Sequence, residues 1–280
     1  MNIQRCIILL LLLATSSFAA EGTALTATGD QISYMKYGNG RPALILIHGW
    51  ANNQTFWEQQ IPGLSNDHQV VTLDLAGFGT SAYERDDWSM RGFALDVDAV
   101  LIDLGIDEAV LVGFSMGGTV ALELASLGRP YVKGVVLVDT LRDPQYRPEL
   151  ERIEQVVEYN RSMWGKEEFF ASFLSDGAPE ALVQRLMSSA PEAVPDVWWE
   201  SLRQVILWNR ERFLDTVALI DVPIVAINSA QRPTNIDAWS RIAPGFRVHV
   251  IDGVGHLGVI WKKVEEFNRA LLEHISQIDR

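Results

Sequence analysis

One strand–turn–helix segment constrains this chain more than any other. From Ala109 to Ala125 it reads AVLVGFSMGGTVALELA, with the pentapeptide GFSMG centred on Ser115 between a short apolar run and a helical pattern. Such a tight turn forces its central residue into a strained backbone conformation and exposes the side chain at the edge of the sheet. The flanking glycines are required because a Cβ there would collide with the neighbouring strand or helix. The segment therefore predicts Ser115 as a nucleophile.

The rest of the chain alternates strand-like and helix-like segments. Residues 25–38 alternate apolar and polar side chains and predict a hairpin. Residues 90–106 and 259–275 have helical apolar spacing. Runs rich in Val, Ile and Leu predict strands covered on both faces, namely ALILIHG, QVVTLDLAGFG, AVLVGFS, GVVLVDT, PIVAINS and RVHVIDGVGH. We therefore expect an α/β fold, with a mostly parallel, doubly wound sheet of about eight strands.

One long interval interrupts this alternation. Residues 141–215 contain no convincing strand and are rich in aromatic side chains. They are too long for a crossover connection, so they predict a helical cap inserted after the sixth strand, over the strand ends where α/β proteins bind ligands. The predicted domains are a core of residues 20–140 and 216–280 and a cap of residues 141–215. Most of the cap aromatics are expected to form the cap's own core, with a minority facing the pocket.

The first 19 residues predict a secretory signal peptide. Arg5 precedes an apolar run from Cys6 to Ala14 that is too short to anchor the chain in a bilayer, and Ser17 and Ala19 are spaced like a cleavage site. Cleavage near Ala19 would remove the only cysteine, leaving no thiol to ligate a metal or form a disulfide. The expected location is secreted or periplasmic, with no stable membrane anchor.

A serine hydroxyl is a weak nucleophile and needs a base within hydrogen-bonding distance. Of the five histidines, His256 alone lies in a glycine-flanked loop between the last predicted strand and the final helix. That loop, DGVGHLG, should emerge at the same edge of the sheet as Ser115. We therefore predict His256 as the base.

These motifs resemble the α/β-hydrolase superfamily over residues 24–278. The matching segments are HGW after the third strand, DLAGFGTS after the fourth, the serine turn after the fifth, and GH after the eighth. The resemblance implies a serine hydrolase with a helical cap and with no metal or organic cofactor. It also implies that the backbone N–H groups of Trp50 and Met116 stabilise the oxyanion, as preorganised donors do. His48 is expected to brace the loop.

The third member of a catalytic triad is the point of departure from this family. The family usually places the acid after the seventh strand, but here Ser229 and Arg232 occupy the G and D positions of the usual G-x-x-D pattern. A histidine base needs a carboxylate to hold its tautomer. Some members carry that acid after the sixth strand, which points to Asp139. Asp143, Asp237 and a weakened dyad stay open.

The predicted function is that of a secreted serine hydrolase cleaving a small or medium acyl ester or lactone through an acyl-enzyme. Ser115 excludes the haloalkane dehalogenase and epoxide hydrolase reactions, which require an aspartate nucleophile. Carbon–carbon bond hydrolases, cofactor-free haloperoxidases, lipases and a non-catalytic ligand-binding protein stay as alternatives. The net charge of −13 argues against a nucleic-acid partner. A small-molecule acyl substrate is the expected partner, and the sequence does not fix the oligomeric state.

Overall fold

A single eight-stranded sheet organises the protein. The computed structural model describes residues 19–174, 180, 183, 184, 187, 191 and 194–278, so the predicted signal peptide lies outside the described residues except for Ala19. The strand order is β1-β2-β4-β3-β5-β6-β7-β8. The strands are β1 (Ala20–Leu25), β2 (Gln31–Tyr37), β3 (Ala43–Ile47), β4 (Val70–Leu73), β5 (Ala109–Phe114), β6 (Val132–Val138), β7 (Ile224–Ser229) and β8 (Arg247–Ile251). Pairing is antiparallel at β1–β2 and β2–β4 and parallel elsewhere, which confirms the predicted fold class.

Helices follow most of the parallel strands. Those with described bounds are α1 (Ile61–Leu64), α2 (Met90–Asp103), α3 (Met116–Ala125), α4 (Leu150–Met163), α5 (Glu167–Ser172), α6 (Asp196–Glu211), α7 (Phe213–Val217), α8 (Ile236–Ile242), α9 (Gly258–Trp261) and α10 (Val264–Ile278). Within the described ranges, no helix combines the length and apolarity needed to cross a membrane.

The pattern at residues 259–275, predicted as one helix, forms two. The first, α9, ends at Trp261 and α10 begins at Val264. The side-chain amide of Gln60 donates to the carbonyl of Ile260 at 2.7 Å. A continuing helix would offer that carbonyl to the N–H of Val264, so a long-range contact replaces a helical hydrogen bond at the break.

The core consists of two apolar layers, one on each face of the sheet. Alternate residues of β3 and β5 contribute to different layers, as the period of a strand requires. Ile45 and Leu111 belong to the layer under α2 and α3, while Leu44 and Val110 belong to the layer under α10. These four side chains are fully buried. Burial on both faces explains why these strands are continuously apolar.

A helical insertion covers one end of the sheet. Helices α4, α5 and α6 lie between β6 and β7, in the interval where the sequence predicts a cap. Trp198 of α6 joins the insertion to the core, since its indole N–H donates to the carbonyl of Gly77 at 2.7 Å and its ring stacks on Phe78 at 5.3 Å between centroids. The domain limits given above stay a prediction.

Candidate active site

The turn between β5 and α3 has the strained geometry that its sequence predicts. Ser115 has φ 52° and ψ −116°, a region that non-glycine residues rarely occupy. A Cβ added to Gly113 would lie 2.2 Å from the carbonyl oxygen of Gly117, and one added to Gly117 would lie 2.4 Å from that of Ile47. The backbone segments are therefore too close for any side chain at either glycine, and this crowding holds Ser115 at the head of α3.

Ser115 and His256 line the same cavity, which has a volume of about 640 Å³. Ser115 is half-buried, and the side chain of His256 is 26% exposed. Among the described residues, no hydrogen bond within 3.5 Å joins the Ser115 hydroxyl to the imidazole. Catalytic hydrogen bonds are often long before substrate binds, so this geometry is compatible with proton transfer between the two groups.

The carboxylate of Asp139 is the group that orients His256. The distance from Nδ1 of His256 to Oδ2 of Asp139 is 2.6 Å. Asp139 follows β6 and is 5% exposed. Because an ionised carboxylate can only accept, it fixes the imidazole proton on Nδ1 and leaves Nε2 as the free basic nitrogen. The ring also packs on Phe114, with centroids 4.6 Å apart.

The other two candidate acids have different partners. The Asp143 carboxylate accepts from the Gln145 backbone N–H and from the Asn235 side-chain amide, both at 3.0 Å. Asp237 is exposed in the first turn of α8, where a carboxylate stabilises the helix end. In the described part of the chain, neither forms a hydrogen bond with His256. The same residues contain no group of three or more His, Cys, Asp or Glu side chains arranged to hold a metal ion.

Arg142 is a part of the site that the sequence reasoning missed. Its Nη2 donates to Oδ1 of Asp139 and, at 2.8 Å, to the hydroxyl of Ser229, while its Nη1 donates to the carbonyls of Ser229 (2.8 Å) and Arg232. The N–H of Ser229 also donates to Oδ1 of Asp139, at 2.6 Å. The end of β7, where the family usually carries its acid, is thus fastened to Asp139.

The fastened arginine stays charged. Burial lowers the pKa of Arg142, and the charge of Asp139 opposes that change. A guanidinium remains protonated in folded proteins, even where burial lowers its pKa. A basic residue three positions after the acid was the available sequence signal, but it has no periodic pattern that distinguishes it from other loop arginines.

The two predicted oxyanion donors are free to bind a ligand. The backbone N–H groups of Trp50 and Met116 have no hydrogen-bond acceptor among the residues that the structure describes. The loop carrying Trp50 runs against the nucleophile, since a Cβ added to Gly49 would lie 3.1 Å from Cβ of Ser115. Unpaired amides beside a hydroxyl are the arrangement that stabilises a developing oxyanion.

His48 is a structural brace. Its Nδ1 lies 2.8 Å from the carbonyl of Gly49, and the N–H of Leu75 donates to its Nε2 at 3.1 Å. The ring is fully buried, and burial lowers the pKa of His48, so the neutral Nδ1–H tautomer is the form that these contacts require. Both ring nitrogens are occupied by backbone groups, which leaves neither for proton transfer.

Aromatic side chains from the insertion form the roof of the cavity. Six of the ten aromatic residues at positions 141–215 line it, namely Tyr146, Trp164, Phe169, Phe170, Phe173 and Trp198. The expectation that only a minority would face the pocket was therefore wrong. Trp198, Phe169 and Phe170 pack in the apolar layers of the core and also line the cavity, so the face of the insertion that approaches the core is the face over the cavity. The indole N–H of Trp50 donates to the carbonyl of Trp198 and connects the loop of this predicted oxyanion donor to the roof.

Comparisons with known proteins agree with this architecture. The chain is 25% identical over 278 residues to the non-heme chloroperoxidase CPO-A1 of Kitasatospora aureofaciens, covering 90% of this chain and 98% of that protein. It is 27% identical over 259 residues to the karrikin insensitive 2 receptor IA of Petunia hybrida, covering 85% and 92%. The esterase EaEST of Exiguobacterium antarcticum has the same fold, with a TM-score of 0.79 at 20% identity over 92% of this chain and 100% of that one. Residues 44–270 match the model of the alpha/beta hydrolase family, and the chain belongs to that family.

Proposed function

We propose that the protein is a serine hydrolase that cleaves a small or medium carboxylic ester or lactone through an acyl-enzyme. The observation that carries this proposal is the 2.6 Å contact between Asp139 and His256, in a cavity that the strained Ser115 also lines. A nucleophile, a base and a group that orients the base are the minimum set for acyl transfer.

Each residue has one chemical task in this reaction. The Ser115 hydroxyl attacks the carbonyl carbon while Nε2 of His256 accepts its proton, and the charged Asp139 stabilises the imidazolium. The N–H groups of Trp50 and Met116 donate to the oxyanion. The imidazolium then returns the proton to the leaving alkoxide. A water molecule, deprotonated by the same nitrogen, attacks the acyl-enzyme and releases the carboxylic acid and the serine.

The size and walls of the cavity support a substrate of modest size. A volume of about 640 Å³ is within the range of small-molecule sites. Trp164, Phe170 and Trp198 contribute flat apolar surfaces to it. An acyl group or leaving group with a chain or ring of moderate length would bury apolar area against these rings.

Covalent labelling tests the proposal directly. Purified protein should react with a fluorophosphonate probe at Ser115, identified by peptide mass spectrometry, and S115A should not. A panel of p-nitrophenyl esters of graded acyl length, lactones and amides should show turnover of esters or lactones that S115A lacks. A folded wild-type protein that neither labels nor hydrolyses any member of the panel contradicts the proposal.

Two relatives define the second candidates. The Petunia receptor favours a ligand-binding role, in which Ser115 would stay unlabelled while a small molecule raises the melting temperature. The Kitasatospora chloroperoxidase favours halogenation, which an assay with halide and hydrogen peroxide detects. Ester turnover that requires Ser115 argues against the receptor role, and ester turnover far faster than halogenation argues against the chloroperoxidase role.

We also propose that the mature protein is secreted or periplasmic. The edge strand β1 starts at Ala20, directly after the predicted cleavage position near Ala19. Removing the first 19 residues would therefore leave all eight strands of the sheet in place. N-terminal sequencing of the processed protein and fractionation of the producing cells test this proposal, and an unprocessed cytoplasmic protein contradicts it.

A further inference from the structure

The charge inside the cavity contrasts with the charge of the chain. The chain has 36 acidic residues and a net charge of −13. None of the described side chains that line the cavity is an aspartate or a glutamate, and Arg152 is the one lysine or arginine among them. A strongly acidic protein thus keeps carboxylates out of this space and places a cation in it, which favours a negatively charged occupant.

Two helices of the insertion form the wall that carries this cation. Arg152, Val156 and Asn160 of α4 are spaced four residues apart, so they lie on one face of that helix and line the cavity together. On α6 the lining residues Leu202, Ile206 and Asn209 are spaced four and three residues apart, so they also share one face. Trp198 and Val205 of the same helix line the cavity with them. Each helix therefore turns one stripe of side chains towards the cavity.

Ion pairs fix how the two stripes align. Arg203 contacts Glu154 at 2.6 Å, and Arg210 lies 3.9 Å from Glu149. Residue numbers rise along one helix as they fall along the other, so α4 and α6 are antiparallel. Arg152 and Asn209 therefore lie at the same end of the wall. The opposite end carries Trp198, whose carbonyl accepts from the Trp50 indole.

Arg152 differs from the other arginines on these helices. Arg161 lies over the ring of Trp199 at 5.3 Å, and Arg203 and Arg210 have the carboxylate partners given above. Within the described ranges, the exposed guanidinium of Arg152 has no hydrogen bond, ion pair or ring contact. The side-chain amide of Asn209 is half-buried and likewise has no partner among those residues.

We infer that this end of the cavity, defined by Arg152 and Asn209, binds a carboxylate, and that the substrate is an acyl compound with an anionic group remote from the scissile bond. A planar guanidinium can bind a carboxylate with two parallel hydrogen bonds, and an amide N–H can donate a third. The apolar stripe between this end and the tryptophans would hold the intervening chain or ring. This inference rests on the proposed ester hydrolysis.

Matched ester pairs test the inference by kinetics. The substrates are mono-p-nitrophenyl adipate and suberate, each compared with its methyl-capped neutral analogue. We expect wild type to favour the charged member of at least one pair in kcat/KM. In R152Q that preference should fall by about five- to tenfold, the size expected for a charge-assisted contact at a solvent-accessible site. R152E should reduce it further, and because the preference is a ratio within each ester pair, any general loss of activity in a variant cancels from it.

A control and a binding measurement complete the test. R161Q makes the same charge change on the same helix and should leave the preference intact. Binding of phenylbutyrate and of phenylbutanol to S115A, followed by tryptophan fluorescence, needs no turnover, and the carboxylate should bind more tightly until salt or the additional R152Q change removes the difference. An equal preference in wild type, R152Q and R152E, or equal binding of the two probes, overturns the carboxylate site. If no ester is hydrolysed the proposed function fails, and the binding measurement still decides this inference.

Discussion

Asp96 and Asp139 are both buried and both pair with an arginine, but their surroundings differ. Both oxygens of Asp96 lie 2.7 Å from one nitrogen, Nη1 of Arg85. The Arg85 guanidinium is enclosed by Trp88 and Phe93, at 4.8 and 4.6 Å from the ring centroids, and its Nε and Nη2 have no partner among the described residues. Asp139 instead presents one oxygen to an arginine and the other to the histidine that lines the cavity.

The difference shows what turns a buried ion pair into part of a site. Arg142 donates to four acceptors through two nitrogens, so its guanidinium is well satisfied. Arg85 is poorly satisfied, and burial raises the pKa of Asp96 to about 7 despite the cation. We call Arg85–Asp96 the closed pair, because neither residue lines the cavity, and a pair of this kind can only affect stability. We call Arg142–Asp139 the open pair, because Asp139 keeps one oxygen for His256 and can therefore act on chemistry.

Removing the charge of Asp139 should have the largest effect. In D139N the carboxamide can no longer hold the Nδ1–H tautomer or stabilise the imidazolium, so ester kcat/KM should fall on the order of 10⁴-fold. Steady-state kinetics on the best p-nitrophenyl ester measure this. D143N is the matched control and should stay within about twofold, because its carboxylate serves a turn. Near-normal activity of D139N would remove it from the triad and return Asp143 and Asp237 to consideration.

The equivalent change at the closed pair should affect stability and leave catalysis unchanged. The pKa of Asp96 is about 7 in the folded protein against an ordinary 3.8, so its contribution to stability is complete below pH 4 and is lost as the pH rises through 7. The shift corresponds to at most about 4 kcal/mol. D96N lacks the titrating group, so the wild-type advantage in free energy of unfolding should shrink between pH 4 and pH 8, measured by urea denaturation.

A surface aspartate controls for that measurement. Asp107 pairs with Arg41 at 2.7 Å, with both side chains more than 60% exposed. D107N makes the same chemical change outside the core, and its pH profile from 4 to 8 should run parallel to wild type. If the D96N profile also runs parallel, the contrast between the closed and open pairs is wrong.

Removing the cation of the open pair should have an intermediate effect on catalysis. R142Q frees Asp139 from β7, and a misplaced acid should lower kcat by roughly 10- to 100-fold with little change in KM. R142K keeps the charge and should recover part of this loss of kcat. If Arg142 had a purely structural role, keeping the charge would not be expected to restore kcat. R147Q changes a half-buried arginine of the same loop that donates to the Pro144 carbonyl, and its kcat should match wild type.

The smallest effect is expected at Ser229. S229A removes the hydroxyl that accepts from Arg142, but the backbone N–H still donates to Asp139. The lost hydrogen bond is charge-assisted, but three other acceptors still hold Arg142, so kcat should fall by no more than about fivefold. A loss as large as that in R142Q would mean that the serine hydroxyl, and not the guanidinium fork, positions the acid.

The elements near the nucleophile could be predicted because their causes are local. The glycine spacing around Ser115 predicts the turn, because only glycine fits where backbone segments approach this closely. The apolar runs predict buried parallel strands. The interruption of the last helical pattern could not be predicted in this way. It depends on Gln60, which lies 200 residues away in the chain and reaches the Ile260 carbonyl only in the folded protein.

By itself, the sequence determined the strand–turn–helix at Ser115, the mostly parallel sheet and the glycine-flanked loop of His256, since turn chemistry and side-chain periodicity act over a few residues. The tertiary structure alone decided which carboxylate meets the histidine. Asp139 and His256 are 117 residues apart and lie after different strands, and the choice among three aspartates depends on where those strand ends converge. Arg142 and the end of β7 complete that choice through contacts that exist only once the sheet has formed.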